Sequence, residues 1–377
     1  MKIAVFMDSL KGSLTSTEAG AAVKEGILSA WQDAEVVVCP FADGGEGTLD
    51  AFLAAGGKTE TARVSDPLGR SVEASYGILN DGTCVIESAK AIGLYLLDEG
   101  ERNPLHTTTR GLGQIIEAAI ERGAREFIIG IGGSSTNDCG IGMLQALRFD
   151  ITDKQGNPVE QGAAGLEQAA TIAADHVIPG LSQCNFLVAC DVQNLLCGAN
   201  GASMVYGPQK GASKDDCQKM DRWMERFAEL VKEAYPNADP NAKGAGAAGG
   251  LGFAFRTFLS AKMRSGADIL FEKIQAQELI ESADLVITGE GRIDGQTAMG
   301  KAPVKVAAMA KKYHKRVLAF AGCIGEGAEK CLKMGIDAYY PITSESMPIE
   351  EAMKKEVAYQ NLKNAVEYAL RQMDQDA

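Results

Sequence analysis

Residues 283–313, "ADLVITGEGRIDGQTAMGKAPVKVAAMAKKY", fall into three parts. Leu285, Val286 and Ile287 form a short continuous apolar run, as expected for a strand buried on both faces. Residues 289–301 carry four glycines with Glu290, Arg292, Asp294 and Lys301 among them. From Ala302, "APVKVAAMAKKY" reads as a helix. Strand, glycine-rich loop and helix in that order is the unit of a parallel sheet covered by helices.

Working outward, the same grammar continues to both chain ends. Downstream, "KRVLAFAG" and "DAYYPIT" read as strands. "GAEKCLKMG" reads as a helix ended by Gly335, and residues 349–373 as one long terminal helix. At the other end "KIAVFM" and "AEVVVCP" read as buried strands. Between and after them come a helix in "TSTEAGAAVKEGILSAW", with Ser/Thr caps and Glu18, and a helix in "EGTLDAFLAA" that Gly56 and Gly57 end.

The middle has a different texture. "RSVEASYGILNDGTCVIES" alternates around Asn80, Asp81 and Gly82, a hairpin signal, and "FDITDKQGNPV" reads as a second hairpin. "REFIIGIGG" and "CNFLVACD" are buried strands, with helices at 111–122 and 215–234. The expected fold class is therefore α/β with two three-layer domains. One is flavodoxin-like with a parallel sheet, built from residues 1–67 plus 284–377. The other is a mixed α/β insertion over 68–283.

The chain has 377 residues, 46% apolar and 23% charged, which is ordinary globular composition. A net charge of −13 speaks against nucleic acid or an anionic membrane surface as partner. An anionic substrate then needs cations at its own site. Nine cysteines without a Cys-x-x-Cys pattern read as buried thiols of a reducing compartment. Three scattered histidines leave zinc without its usual ligands. The opening residues are too short an apolar run for a signal peptide, and no run reaches the ~20 apolar residues of a membrane span. A cytoplasmic protein is expected.

Glycine is the compositional outlier, with 43 residues, and its clusters follow putative buried strands. "DSLKGS", "ADGGEG", "GGSSTND", "DVQN" and "GEGRIDGQTAMGK" each come after one, at the edge where open α/β sheets bind ligands. These loops hold acids suited to Mg²⁺ or to accepting a hydroxyl proton: Asp43, Glu46, Asp191 and Asp294. They also hold Lys11, Arg292 and Lys301, suited to phosphates and a carboxylate. Gly132, Gly133, Ser134, Ser135 and Thr136 offer N–H groups and hydroxyls to an anion. Acids, cations and glycine cradles together are the parts of phosphoryl transfer. The nucleotide-binding pattern Gly-x-x-x-x-Gly-Lys-Ser/Thr is missing. A lone Gly-Gly is more often a turn than a cradle, and "GAGAAGGLG" (244–252) reads equally as close packing or as a loop.

Eight segments in order resemble the bacterial glycerate kinase family of the first type. They are "DSLKGSLTSTEA", "PFADGGEGTLDA", "DPLGR", "IGGSSTNDCGIG", "ACDVQNLLCGANGA", "YGPQKGA", "GAGAAGGLG" and "ITGEGRIDGQTAMGKAP". They run from residue 8 to 303. The resemblance implies two α/β domains with a cleft between them and transfer of phosphate from ATP to D-glycerate with Mg²⁺. The implied product is 2-phosphoglycerate, with 3-phosphoglycerate as the other outcome, in glyoxylate or sugar-acid breakdown. Leu10 departs from the aromatic usual there, and "VQNLL" replaces "VDNPL".

On this reading Asp191 is the first candidate for the general base and Asp43 the second, with Arg292 and Lys11 also catalytic. Asp8, Ser9, Arg70, Gly44, Gly45 and Asn137 are expected at the substrate. Gly132, Gly133, Ser134, Ser135, Thr136, Gly289 and Lys301 are expected at phosphate or nucleotide, and Glu46 and Asp294 at the metal. A monomer or homodimer is expected. The alternatives are a kinase of another small hydroxy acid, or a sensor that binds a small acid without turnover.

Overall fold

A computed structural model describes residues 1–42, 44–344 and 346–375. Its strands, in chain order, are β1 (Lys2–Met7), β2 (Glu35–Pro40), β3 (Gly57–Ser65), β4 (Ser71–Leu79), β5 (Cys84–Glu87), β6 (Glu126–Gly130) and β7 (Asp150–Thr152). There follow β8 (Thr171–Ala173), β9 (Asn185–Ala189), β10 (Lys262–Arg264), β11 (Leu285–Ile293), β12 (Arg316–Ile324) and β13 (Ala338–Pro341).

The chain divides into two compact units. The first comprises Met1–Asp43, Asp50–Ala55 and Ala267–Ala377. Its sheet runs β13-β12-β11-β1-β2, with every neighbouring pair parallel. Counted within the unit this is the order 2-1-3-4-5 of the flavodoxin-like sheet, and β1 and β11 flank its switch point. Helix Ser16–Ala30 packs on this sheet through Ala19, Ala22, Val23 and Ile27. Thr15 caps it and Glu18 closes a capping box, as the Ser/Thr-then-Glu pattern predicts.

The second unit comprises Gly44–Leu49 and Gly56–Gly266. Its main sheet runs β10-β9-β6-β5-β4-β3. The four strands β5, β6, β9 and β10 are parallel, and β3 and β4 are antiparallel. Parallel strands end at one edge, so the segments after Glu87, Gly130, Ala189 and Arg264 gather there. The core is built on Ile86, Phe127, Ile129, Phe186 and Val188, with helices Arg110–Glu121 and Lys214–Ala234 contributing Ile115, Ile116, Met224 and Phe227.

Several expectations need correction. The unit boundaries fall near 43–56 and 266, not at 67 and 283. Residues 57–65 form β3, which pairs along its whole length with β4 and so belongs to the second sheet. The polar sequence "GKTETARVS" hides that strand, because most of its residues are exposed. Strand β2 is an edge strand, exposed at Glu35 and half-buried at Val36, Val37 and Val38, not one buried on both faces. In "FDITDKQGNPV" the turn exists, with Asp153 accepting from the N–H groups of Gln155 and Asn157. Its arms meet in an antiparallel bridge between Thr152 and Pro158, as expected of a hairpin, and β7 pairs with β8 as well. The terminal helix is broken into Ile349–Ala352 and Lys355–Gln375.

Candidate functional site

In the first unit, the carboxyl ends of β1 and β11 adjoin at the switch point. Met7 is level with Gly289, and the Asp8 N–H donates to the Gly289 carbonyl at 2.9 Å. Asp8 Oδ1 accepts from the Ser9 N–H, and the chain turns back through the Leu10–Leu14 bridge, leaving Lys11 exposed. A Cβ on Gly291 would stand 3.5 Å from the Lys11 nitrogen, so these two loops run side by side.

The loop after β11 is wired by carboxylates. Glu290, 7% exposed, accepts from Thr297 Oγ1 at 2.6 Å and lies 3.7 Å from Lys301 Nζ. Asp294 Oδ1 accepts from the N–H groups of Gln296 and Thr297, while Oδ2 meets Arg292 Nε at 3.1 Å. Burial raises the Asp294 pKa, but those two N–H groups with Lys301 and Arg292 outweigh it and hold the carboxyl below its usual value. Gly325 leaves room for the Arg292 guanidinium, since a Cβ there would come within 2.8 Å of Nε. Lys301 then stands at the N-cap of helix Ala302–Lys312, whose dipole favours anions at that end. The result is an edge with three cations (Lys11, Arg292, Lys301), each placed by turn geometry or by a neighbouring acid.

In the second unit, residues 44–49 lie across the carboxyl ends of three strands. The Gly44 carbonyl accepts from the Gly132 N–H at 3.1 Å, just past β6. A Cβ on Gly44 would meet the Ala189 carbonyl at the end of β9 at 2.9 Å. The Leu49 N–H donates to Glu87 Oε2 at the end of β5, at 3.2 Å. Glu46 stays exposed on this segment. The Gly-Gly pair is thus used for backbone-on-backbone packing against the strand ends.

The loop after β6 is mostly buried. Gly133 is its exposed member, with φ +74°. Ser135 directs both its N–H and its hydroxyl to the Ile92 carbonyl. Asp138 is fully buried and accepts from Thr109 N and Oγ1, Gly140 N and Gly142 N. Burial pushes its pKa up against those hydrogen bonds. Asn137 is also buried, its amide on Ser203 Oγ at 2.8 Å. The segment "GAGAAGGLG" closes over this loop. Ala248, Gly249 and Gly250 are all left-handed, and a Cβ on Gly249 would come 2.2 Å from the Thr136 carbonyl. It is close packing that requires glycine there. After β9, Cys190 donates its N–H to the Arg264 carbonyl, and the exposed Asp191 accepts from the Gly266 N–H at 3.3 Å.

A model of the glycerate kinase family matches residues 3–374. The chain belongs to the glycerate kinase family. It is similar to the Escherichia coli K12 protein named glycerate 2-kinase, with 44% identity over 96% of this chain and 95% of that one. It is similar also to the Bacillus subtilis 168 glycerate kinase, with 43% identity over 95% of this chain and 94% of that one. A crystal structure from Salmonella typhimurium LT2, assigned as glycerate kinase 2, superposes with a TM-score of 0.88 at 39% identity. It covers 99% of that chain and 100% of this one. Membership makes this chain a phosphotransferase with an alcohol group as acceptor, which removes the sensor alternative.

Within this family member the candidate residues separate into groups. Asp8, Ser9, Lys11, Gly289, Arg292, Asp294 and Lys301 share the switch-point edge of the first unit. Gly44, Gly45, Glu46, Gly132, Gly133, Ser134 and Asp191 lie at the parallel-strand edge of the second. Asp43 lies outside the described residues.

Four placements depart from expectation. Arg70 is held in the Asp66-Pro-Leu-Gly-Arg70 turn, with Nε 2.5 Å from Asp66 Oδ2 and Nη1 2.7 Å from Glu101 Oε1. Hydrogen bonds to both acids raise its pKa. Its guanidinium is therefore committed to the β3–β4 connection. Asn137 is inside the unit, supporting Ser203. Ser135 and the Gly132 N–H are likewise spent on the protein's own carbonyls. Glu290, Thr297 and Lys210 were missed from the sequence. The first two sit inside the quoted glycine-rich segment, where only their burial distinguishes them. A depression of about 580 Å³ lined by Asp153, Glu167, Arg226 and Glu233 contains none of the candidates.

Proposed function

We propose that the protein transfers the γ-phosphoryl group of ATP to the 2-hydroxyl of D-glycerate. The observation that carries this reading is the 44% identity, over nearly the whole of both chains, to a protein named glycerate 2-kinase. The site geometry is compatible with it. In-line phosphoryl transfer asks the protein for positioned cations, an anion cradle and a proton acceptor, and little else.

Arg292 is the first choice for the glycerate carboxylate. Its planar fork grips two oxygens, and Asp294 and Gly325 fix its orientation. Lys301 and Gly289, with the exposed Gly133 and the adjoining Ser134, are assigned to phosphates, and Lys11 to charge on the transferring group. Asp191 is assigned as the base that takes the hydroxyl proton, with Asp43 as its alternative. Asp8, Ser9, Gly44 and Gly45 line the edges next to these groups. Arg70 does not enter the assignment, because its guanidinium is engaged by Asp66 and Glu101, nor does Asn137, which is buried with its amide N–H on Ser203.

Magnesium usually enters such sites on the nucleotide, keeping several waters and one or two carboxylates. Among the described residues no three His, Cys, Asp or Glu side chains cluster as a protein-only metal cage would. Glu46, exposed, has the oxygen chemistry for Mg²⁺. Both oxygens of Asp294 are engaged by N–H groups and Arg292, so Asp294 fits better as the group that orients Arg292. The metal would supply charge neutralisation between the phosphates. We place the reaction in the cytoplasm, in breakdown of glyoxylate-derived or sugar acids; among the described residues no helix is long and apolar enough to cross a membrane.

The test is ADP release by purified protein given ATP and Mg²⁺, with and without D-glycerate. D-Glycerate-dependent release supports the proposal; release with L-glycerate or tartronate in preference to D-glycerate would replace it with another hydroxy-acid kinase.

A further inference from the structure

Lys210 is 2% exposed, an unusual place for a lysine. It sits in the one-turn helix Pro208–Lys210, within "YGPQKGA". Its Nζ donates to the Thr136 carbonyl at 2.6 Å and to Ser134 Oγ at 3.1 Å. These are two points of the loop after β6, one on each side of Ser135. Ser135 itself is fastened to the Ile92 carbonyl, and Gly249 presses on the Thr136 carbonyl from another direction. The exposed Gly133 immediately precedes the segment so clamped.

We infer that Lys210 is a positioning residue for the phosphate-binding loop: its buried amine fixes Ser134 and Thr136, and through them the backbone of Gly133 and Ser134 that faces the nucleotide. The inference rests on the assignment of Gly133 and Ser134 to phosphate.

The chemistry of the contact fits a strut better than a reacting group. Both acceptors are neutral, and an amine with two N–H bonds serves them whether or not it carries a third proton. Burial pushes the Lys210 pKa down to about 7, with Asp138 as the charge that opposes the shift. A charged lysine would be costly here for a purely structural purpose, because a methionine could fill the same space. What a methionine cannot do is hold the Thr136 carbonyl. A loop carrying anion-binding N–H groups must be held to within a fraction of an ångström to be of use.

The experiment measures ADP affinity by calorimetry, with KM for ATP and for D-glycerate, in Lys210→Met, Lys210→Gln and Gly133→Asp. Circular dichroism first establishes that each variant is folded. For Lys210→Met the expected result is ADP binding weakened about tenfold or more and a matching rise in KM for ATP. KM for D-glycerate should stay near the wild-type value. Lys210→Gln keeps two amide donors and should fall between wild type and Lys210→Met. If Lys210→Met does not fold, Lys210→Gln decides alone. Wild-type ADP affinity in a folded Lys210 variant overturns the inference. Gly133→Asp tests the underlying assignment, because aspartate tolerates the left-handed backbone but repels phosphate. Weakened ADP binding in Gly133→Asp with normal binding in Lys210→Met would sink the Lys210 role only. Normal binding in Gly133→Asp would sink the phosphate assignment and the Lys210 role with it.

Discussion

The backbone N–H of Gly132 donates to the carbonyl of Gly44 at 3.1 Å, joining two glycine-rich loops that are 88 positions apart in the chain. A Cβ on Gly132 would stand 2.7 Å from the Gly45 Cα, so neither loop has room for a side chain at the contact. The Gly44-Gly45 pair therefore sets where the Glu46 segment crosses the ends of β6 and β9.

Gly44→Ala should lower stability by about 1–3 kcal/mol, because φ +98° strains any L side chain and the new methyl meets the Ala189 carbonyl. A thermal melt measures it. An unchanged midpoint would mean the loop can shift without loss and is not built around that contact.

Asp191→Asn should reduce kcat by about 10²-fold or more while ADP affinity stays near normal. The carboxylate is exposed at the parallel-strand edge and accepts from the Gly266 N–H at 3.3 Å. Near-normal turnover would transfer the base role to Asp43.

Arg70→Met should leave KM for D-glycerate unchanged. Its guanidinium is occupied by Asp66 and Glu101, on a turn that joins β3 to β4. A large rise in that KM, without loss of fold, would return Arg70 to the substrate.

How much of this was legible in the sequence follows from what each residue does. The parallel sheet of the first unit could be read because "KIAVFM" and "ADLVITG" are short continuous apolar runs, the pattern of a strand covered on both faces. The switch-point loops could be read because glycines and charges cluster straight after those runs. Strand β3 could not, since its stability comes from pairing with β4 and not from its own burial. Arg70 and Asn137 looked like site residues because composition does not reveal what a polar group is already bonded to. Lys210 was hidden for the opposite reason. A lone lysine in a Gly/Pro-rich turn reads as surface, and only the folded chain shows it buried on Thr136.

The pH dependence of stability tests the burial of Lys210. Its folded-state pKa, about 7, lies below its unfolded value of 10.5. Between those limits the unfolded chain binds the extra proton, so this residue's contribution to stability rises with pH across that window. Melting temperatures of wild type and Lys210→Met, compared from pH 7 upward, should diverge in favour of wild type. A constant gap would show that the lysine is not titrating inside the fold.

The central claim is phosphorylation at the 2-position, and the product itself tests it most directly. Purified protein is given ATP, Mg²⁺ and D-glycerate, and the product is offered to enolase with and without phosphoglycerate mutase. Transfer to the 2-hydroxyl predicts that enolase alone consumes it. Consumption only after mutase is added would show 3-phosphoglycerate and contradict the claim.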